Sequence, residues 1–314
     1  MNTSTQNKPR VLGIVGATAS AKTALSLPLA QALNCEIVCM DSMQIYRRMD
    51  IGTAKPTADE RALIPHHMLD IVEPTEPFSV AQYVEQARAV IADIVHRGRV
   101  PMLVGGTGLY LQGLTLPMDY GGLPSAPAIR KRLTEQAERE GAASMHARLA
   151  AVDPPAAARL HPNDQRRVIR ALEIYELTGI PMSQHRTPTQ ADAPYAFSLY
   201  AVDWPRAELH ARINQRVDQM LANGLMQEVQ ALLDSGVAED AQSMQGLGYK
   251  ELLPCLRGEA SLAQAAEAIK IGTRNYARRQ LIWFRRDARI HWIPSTELSH
   301  AKERIIQDWE EHIR

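Results

Sequence analysis

Cysteine is scarce in this chain of 314 residues, with only Cys35, Cys39 and Cys255 present. Three thiols make no disulfide framework, and no Cys-Cys-His-His spacing offers a structural zinc site. Cys35 and Cys39 flank or lie in an apolar run and read as core residues. An excess of charge is also lacking, since 35 lysines and arginines meet 35 aspartates and glutamates. That balance removes any global argument for nucleic acid, although local basic clusters remain possible. No apolar stretch is long enough to span a bilayer. The polar segment Met1–Arg10 carries no apolar signal core. A cytoplasmic protein in a reducing compartment is expected, with no membrane partner. The length allows one large domain or two smaller ones.

What is present is a phosphate loop. The apolar run Val11-Leu12-Gly13-Ile14-Val15 leads into Gly16-Ala17-Thr18-Ala19-Ser20-Ala21-Lys22-Thr23. This reads as a strand, a loop, and then a helix from Lys22 to about Leu33. Such a loop turns successive backbone N–H groups toward an anion at the positive end of the helix. Lys22 adds a point charge, and the Thr23 hydroxyl can ligate Mg²⁺. A diphosphate or triphosphate ligand is predicted. The pattern G-x-x-x-x-G-K-[ST] is broken at one place, where Ala21 stands for the second glycine. A Cβ penalises dihedrals that glycine adopts freely, so Ala21 is expected to weaken anion binding relative to glycine.

Strands are predicted at Val11–Gly16, Glu36–Asp41, Val100–Gly105 and Phe197–Asp203, the first three as short aliphatic runs bounded by turns. Helical patterns lie between them. Ser79 and Gln82 form a capping box that opens a helix with Val80, Tyr83, Val84, Ala87, Ile91 and Ile94 on one stripe. The alternation predicts a parallel, doubly wound α/β sheet with helices on both faces. Ligands of such sheets bind beyond the carboxyl ends of the strands. There lie the phosphate loop, Asp41-Ser42-Met43-Gln44 and Gly105-Gly106-Thr107-Gly108. Between Pro117 and Pro194 strand signals vanish, and helices are predicted at Ala126–Gly141, Ala142–Ala151 and Asn163–Gly179. In the last, Val168, Ala171, Leu172 and Tyr175 form the apolar stripe, with Arg166 and Arg170 pointing the other way. The chain thus divides into a core, 1–116 with 195–314, and a helical insertion, 117–194. After Pro205 it reads as mostly helical.

Two basic features stand out in that last stretch. On the helix carrying Leu209, Ile213, Val217, Met220 and Leu221, Arg216 falls beside Leu209 at the edge of the apolar stripe, with Arg212 further round. An arginine on a buried face needs an anionic partner, and an anion-facing role is favoured over a stem packed beneath a solvated head. Farther on, a helix over Ser261–Arg286 puts Lys270, Arg274, Arg278 and Arg285 on one face with few acids between them, and Ile269, Tyr276, Trp283 and Phe284 supply apolar contacts. Contact with a nucleic-acid backbone is a serious reading of that stripe.

The ordered set of segments resembles the bacterial tRNA dimethylallyltransferases over roughly residues 10–294. The segments are the phosphate loop, Asp41–Tyr46, Met49–Pro56, Pro65–Asp70, Gly105–Tyr110, His161–Asp164 with Arg166 and Arg170, Gly246–Lys250, and Thr273–Arg286. Two positions depart from that family: Ala21, where it has glycine, and Ala17, where it usually has proline. The resemblance implies a phosphate-loop kinase-like core with a helical insertion that grips the anticodon arm. It implies dimethylallyl diphosphate with Mg²⁺ as donor, and tRNA whose target base is extruded as acceptor. Eukaryotic relatives add a zinc finger, which this sequence does not contain, so the bacterial type is implied. A monomer is expected.

The resemblance also assigns roles. Gly16 to Thr23 would hold the diphosphate, with Thr23 on the metal. Arg216, with Arg212 in reserve, would stabilise charge on the leaving diphosphate. Asp41 would take the proton of the adenine amine; read otherwise it caps a loop or holds Mg²⁺. Thr107 would sit at the reacting centre. Asp41, Ser42, Met43, Gln44, Thr107, Arg130, Gln165, Arg166, Arg167, Val168, Ile169, Gln245, Gly246, Leu247, Gly248, Tyr249 and Lys250 would contact the tRNA. Asp50 and Lys55 read as structural or peripheral, and His66 and His67 as satisfied polar groups. Two other functions fit a phosphate loop. One is a small-molecule phosphotransferase using ATP, which has little need of the arginine-rich surfaces. The other is a non-catalytic RNA-binding module, which only Ala21 supports.

Overall fold

The computed structural model describes residues 8–115, 126–185 and 193–311. They form two compact units, one made of the chain up to Thr115 and from Ala193 onward, the other of the residues between.

The larger unit is built on six parallel strands. These are β1 (Arg10–Val15), β2 (Cys35–Met40), β3 (His66–His67), β4 (Val100–Gly105), β5 (Ala196–Asp203) and β6 (Ile290–Pro294), in the order β3-β2-β4-β1-β5-β6. Successive side chains of a strand point to opposite faces, and both faces here are apolar. Val11, Val15, Val38, Met40, Leu103 and Leu199 pack on one side. Leu12, Ile14, Ile37, Met102, Tyr200 and Val202 pack on the other, beneath α1 (Lys22–Ala32) and α13 (Ala301–Glu311). Helix α3 (Val80–His96) opens on the Ser79–Gln82 capping box and buries Tyr83, Val84, Ala87, Ile91 and Ile94. Two helices matter most for the site: α9 (Arg206–Ala222) and α12 (Leu262–Phe284).

Four strands match the sequence expectation to within a residue or so, whereas β3 and β6 do not appear in it. Both are short edge strands. His66–His67 has two residues, and Ile290–Pro294 buries only Ile290 and Ile293, so neither produces a periodic signal. His66 Nδ1 lies 2.7 Å from the Ile64 carbonyl and His67 Nε2 lies 2.7 Å from Glu36, so both histidines are satisfied polar groups.

Glu36 is a buried carboxylate in β2 held by Arg97, His67 and Arg99. The Arg97 hydrogen bonds outweigh burial and bring its pKa down to about 2. A depressed carboxyl contributes stability that is complete above its unfolded pKa and lost as pH falls through the folded one. Glu36→Gln is therefore expected to destabilise the protein by about 3 kcal/mol at pH 7. The deficit should shrink to less than half near pH 3. Urea unfolding at the two pH values checks this, and an equal deficit at both would count against it.

The smaller unit contains α5 (Pro127–Glu140), α6 (Ala142–Val152), α7 (Pro154–Arg159) and α8 (Gln165–Thr178) around Leu133, Met145, Leu149, Val168 and Leu172. At its centre is Glu173, fully buried, which accepts from the Ala126 N–H at 3.0 Å and from Arg130 at 2.9 Å, and ion-pairs with Arg170 at 3.1 Å. Burial opposes the charge on Glu173, but these donors prevail and hold its pKa below the usual value. Arg170 thus turns toward a buried acid, contrary to the outward placement expected of it.

Candidate active site

The phosphate loop follows β1 and ends at α1. It is shaped by three residues with positive φ: Gly16 at 131°, Ala19 at 61° and Ala21 at 69°. Ala17 and Ala19 are buried against Leu209, Ile213 and Ala277, so the loop's methyl groups anchor it to α9 and α12. Lys22 folds back, donating from Nζ to the carbonyls of Ala17 at 2.7 Å and Gly16 at 3.3 Å. Burial, and then the positive charge of Arg216, bring its pKa down to about 8. The charge of a polyanion in the loop would oppose both effects and favour the ammonium form. The Ser20 hydroxyl is buried with no hydrogen-bond partner among the described residues.

Ala21 occupies the left-handed position that favours glycine and caps α1 there with no side-chain hydrogen bond. The penalty for alanine in that conformation is about 1 kcal/mol. Ala21→Gly is expected to tighten binding of inorganic diphosphate without loss of thermal stability. Isothermal titration of both proteins tests this, and unchanged or weaker binding in the glycine variant would refute it.

Asp41 directly follows β2. Its Oδ1 accepts from the N–H groups of Met43 at 2.9 Å and Gln44 at 3.4 Å. The loop-capping reading is therefore correct as structure, and it leaves Oδ2 without a protein partner among the described residues. Thr107 ends the turn after β4. Its N–H donates to Met40 O at 3.1 Å, and its hydroxyl accepts from the Ser42 N–H at 3.1 Å. Thr107 thereby braces the Asp41–Ser42 turn from behind. A Cβ at Gly105 would lie 2.0 Å from the Met40 carbonyl oxygen, which explains the glycine.

Two cavities meet beside these residues. The larger, about 1010 Å³, is lined by Thr18–Ala24, Asp41, Gln44, Lys55, Arg212 and Arg216 among others. The smaller, about 290 Å³, is lined by Thr18, Asp41–Met43, Arg216, Gln245–Lys250 and Tyr276, with apolar walls from Ile213, Val217 and Ile269. Thr18, Asp41 and Arg216 belong to both. Thr107 lines neither.

Arg216 is half-buried and has no hydrogen bond or ion pair to the described residues. Burial lowers its pKa, opposed by Asp41 and reinforced by Arg212. Arg212 is committed: it donates from Nε to Ala19 O at 2.8 Å and stacks over Trp204, 4.2 Å from the ring centroid. Arg212 holds the loop, whereas Arg216 faces the cavities.

The residues assigned to RNA fall into several groups. Ser42 and Met43 line the smaller cavity, but Gln44 spends its amide on Thr53 O, Ala54 O and the Cys39 thiol. Gln245 and Lys250 are exposed, and Leu247 is half-buried. Gly246, Gly248 and Tyr249 are buried in the cavity wall. That wall is fixed by Glu228, which accepts from the Tyr249 hydroxyl at 2.6 Å and from the N–H groups of Asp50, Ile51 and Gly52 at 2.8, 2.8 and 3.0 Å. In the helical unit Gln165, Arg166 and Arg167 are exposed and Arg130 is half-exposed. Val168 and Ile169 are buried in that unit's core, so their side chains offer no surface to RNA. Lys55 is structural, with Nζ on Tyr46 O at 2.5 Å, Asp50 at 2.8 Å and Asp70 at 2.5 Å.

The basic stripe on α12 is largely neutralised. Lys270 pairs with Asp218, Arg274 with Glu267, and Arg285 with Asp203. The acids come from other elements or another turn of α12, which a reading along one helix face does not see. Tyr276, expected as an apolar contact, places its hydroxyl against Thr107 and Gln280. The sequence motifs assign no role to Gln280 or Glu228. A signal existed for Gln280, which continues the stripe Ile269, Thr273, Tyr276 at helical spacing as a lone amide.

A parallel sheet with a phosphate loop after its first strand, facing an acid at the end of the second, defines a phosphate-loop α/β group-transfer protein. The IPP transferase model matches residues 44–287, and the isopentenyl transferase model matches residues 9–67. The tRNA dimethylallyltransferase 1 of Trichlorobacter lovleyi is 50% identical over 93% of this chain and 96% of its own length. The crystal structure of the tRNA isopentenylpyrophosphate transferase of Bacillus halodurans is 41% identical, with a TM-score of 0.72 over 97% of this chain and 98% of its own. A eukaryotic dimethylallyltransferase captured acting on tRNA superimposes with a TM-score of 0.85 at 31% identity, over 97% of this chain and 79% of its own. The chain belongs to the IPP transferase family.

Proposed function

We infer that this protein is a tRNA dimethylallyltransferase, moving the dimethylallyl group of dimethylallyl diphosphate to the exocyclic amine of the adenosine 3′ of the anticodon. One observation carries the mechanism: Asp41 and Arg216 lie at the junction of a polar cavity floored by the phosphate loop and a smaller, partly apolar one. A diphosphate fits the first, and a dimethylallyl group and a purine meet where the second begins. As the allylic C–O bond breaks, negative charge gathers on the leaving diphosphate. Loop N–H groups, Lys22 and Arg216 stabilise it. As the new C–N bond forms, the amine proton passes to Asp41 Oδ2.

The loop suits Mg²⁺. The Thr23 hydroxyl offers a hard oxygen donor to the cavity, and Mg²⁺ bound with phosphate keeps several waters and takes few protein oxygens. When bound, it would neutralise charge on the diphosphate. The described residues hold no cluster of three His, Cys, Asp or Glu that could bind a metal without a ligand. Exposed Gln165, Arg166 and Arg167 support an anticodon-arm surface on the helical unit. None of the described helices is long and apolar enough to cross a membrane, and we place the protein in the cytoplasm as a monomer. Family membership disfavours ATP-dependent phosphotransfer. The test is incubation with labelled dimethylallyl diphosphate, Mg²⁺ and unmodified tRNA, then digestion. Label on the adenosine amine beside the anticodon is expected; ATP consumption without tRNA, or tRNA binding without transfer, would overturn the reading.

A further inference from the structure

We propose that Gln280, on α12, is a positioning residue for the transfer, and that it acts by tying the phosphate loop to the Gly105–Gly108 loop. The inference rests on the function proposed above. Gln280 is 5% exposed. Its Oε1 accepts from the Thr18 N–H at 2.9 Å, and its Nε2 donates to the Gly106 carbonyl at 2.9 Å. An amide has one accepting and one donating end, and the two partners demand them in this order. Neither a carboxylate nor an apolar side chain of similar length satisfies both.

The surroundings are built for this contact. A Cβ on Gly106 would lie 2.2 Å from Gln280 Nε2 and 3.1 Å from Gly16 O, so a larger residue at 106 would displace the amide and crowd the phosphate loop. β1 and β4 are paired neighbours, with Val15 opposite Gly105. The amide therefore bridges the ends of adjacent strands just where each gives way to a site loop. On one side it fixes Thr18, which lines both cavities. On the other it fixes Gly106 and, one residue on, Thr107, whose hydroxyl holds the turn containing Asp41 and Ser42. Gln280 touches no reacting atom. It sets the separation between the anion cradle and the proton acceptor, and misplacement of reacting groups on the ångström scale can cost about 10²-fold in rate.

The test uses Gln280→Met, and Gln280→Glu as a near-isosteric second variant should the first not fold. Circular dichroism and thermal melting confirm the fold of each. Three quantities are compared with the unsubstituted protein: the single-turnover transfer rate at saturating tRNA, the tRNA dissociation constant, and the affinity for inorganic diphosphate. A rate about 10²-fold lower is expected, with diphosphate bound about ten-fold more weakly because the loop is less organised, and tRNA affinity unchanged. Unchanged rate and diphosphate affinity in a folded variant would overturn the proposal. So would a loss of tRNA affinity as large as the loss of rate, which marks general disruption. Diphosphate binding is read without turnover. If the unsubstituted protein transfers nothing while the variant still binds diphosphate ten-fold more weakly, the tie that organises the phosphate loop stands, and the proposed reaction falls with the role of Gln280 in it.

Discussion

Asp41→Ala is expected to slow the chemical step by about 10²- to 10⁴-fold, the range for loss of a positioned general base. The affinity for tRNA should change little, because the carboxylate is one small group among many contacts. Asp41 Oδ1 also accepts two N–H groups of the following turn, so alanine removes a cap as well as a base. Asp41→Asn separates the two effects, since its carbonyl oxygen can keep the cap while the amide takes no proton. Both variants should lose the chemical step together. Single-turnover transfer measures this, and an asparagine variant at full rate would remove Asp41 from the proton transfer.

The second large effect belongs to Arg216. Arg216→Gln is expected to lower kcat/KM for dimethylallyl diphosphate by about 10²- to 10³-fold, as for other donors aimed at developing charge. KM for tRNA should stay close to its original value. Arg212→Gln offers the contrast, because Arg212 already spends its Nε on Ala19 O and its plane on Trp204. Its loss should lower stability as well as diphosphate affinity. Steady-state kinetics with each substrate varied in turn distinguishes the two. A change of less than about two-fold in the donor parameter for Arg216→Gln, far below the loss expected of such a donor, would assign the anion to other residues.

The sheet and the cradle were legible because their signals are local. β1, β2 and β4 are short aliphatic runs, and the phosphate loop is contiguous in sequence. Arg216 was legible through helical geometry: α9 buries Leu209, Ile213 and Val217, and the arginine falls at the edge of that stripe. What escaped depends on pairing across the fold. β6 has two buried residues, and among the described residues its only strand partner is β5. Lys270 and Arg285 lose their apparent freedom to Asp218 and Asp203, which lie 52 and 82 residues away by their numbers. Glu228 gathers donors from three consecutive residues near the start of the chain, a role that nothing near Glu228 announces. Val168 and Ile169 show the converse. They lie in a contiguous segment that the resemblance places on RNA, yet Val168 belongs to the helix's apolar stripe and the fold buries both side chains.

The most direct measurement is a crystal structure of the protein with a non-hydrolysable analogue of dimethylallyl diphosphate and an unmodified anticodon stem-loop. The diphosphate should lie in the Gly16–Thr23 loop on N–H groups other than that of Thr18, which Gln280 holds, touching Lys22 and Arg216. An unstacked adenine should then place its amine about 3 Å from Asp41 Oδ2, within reach for proton transfer. A diphosphate bound away from that loop, or an adenine amine out of reach of Asp41, would contradict the account.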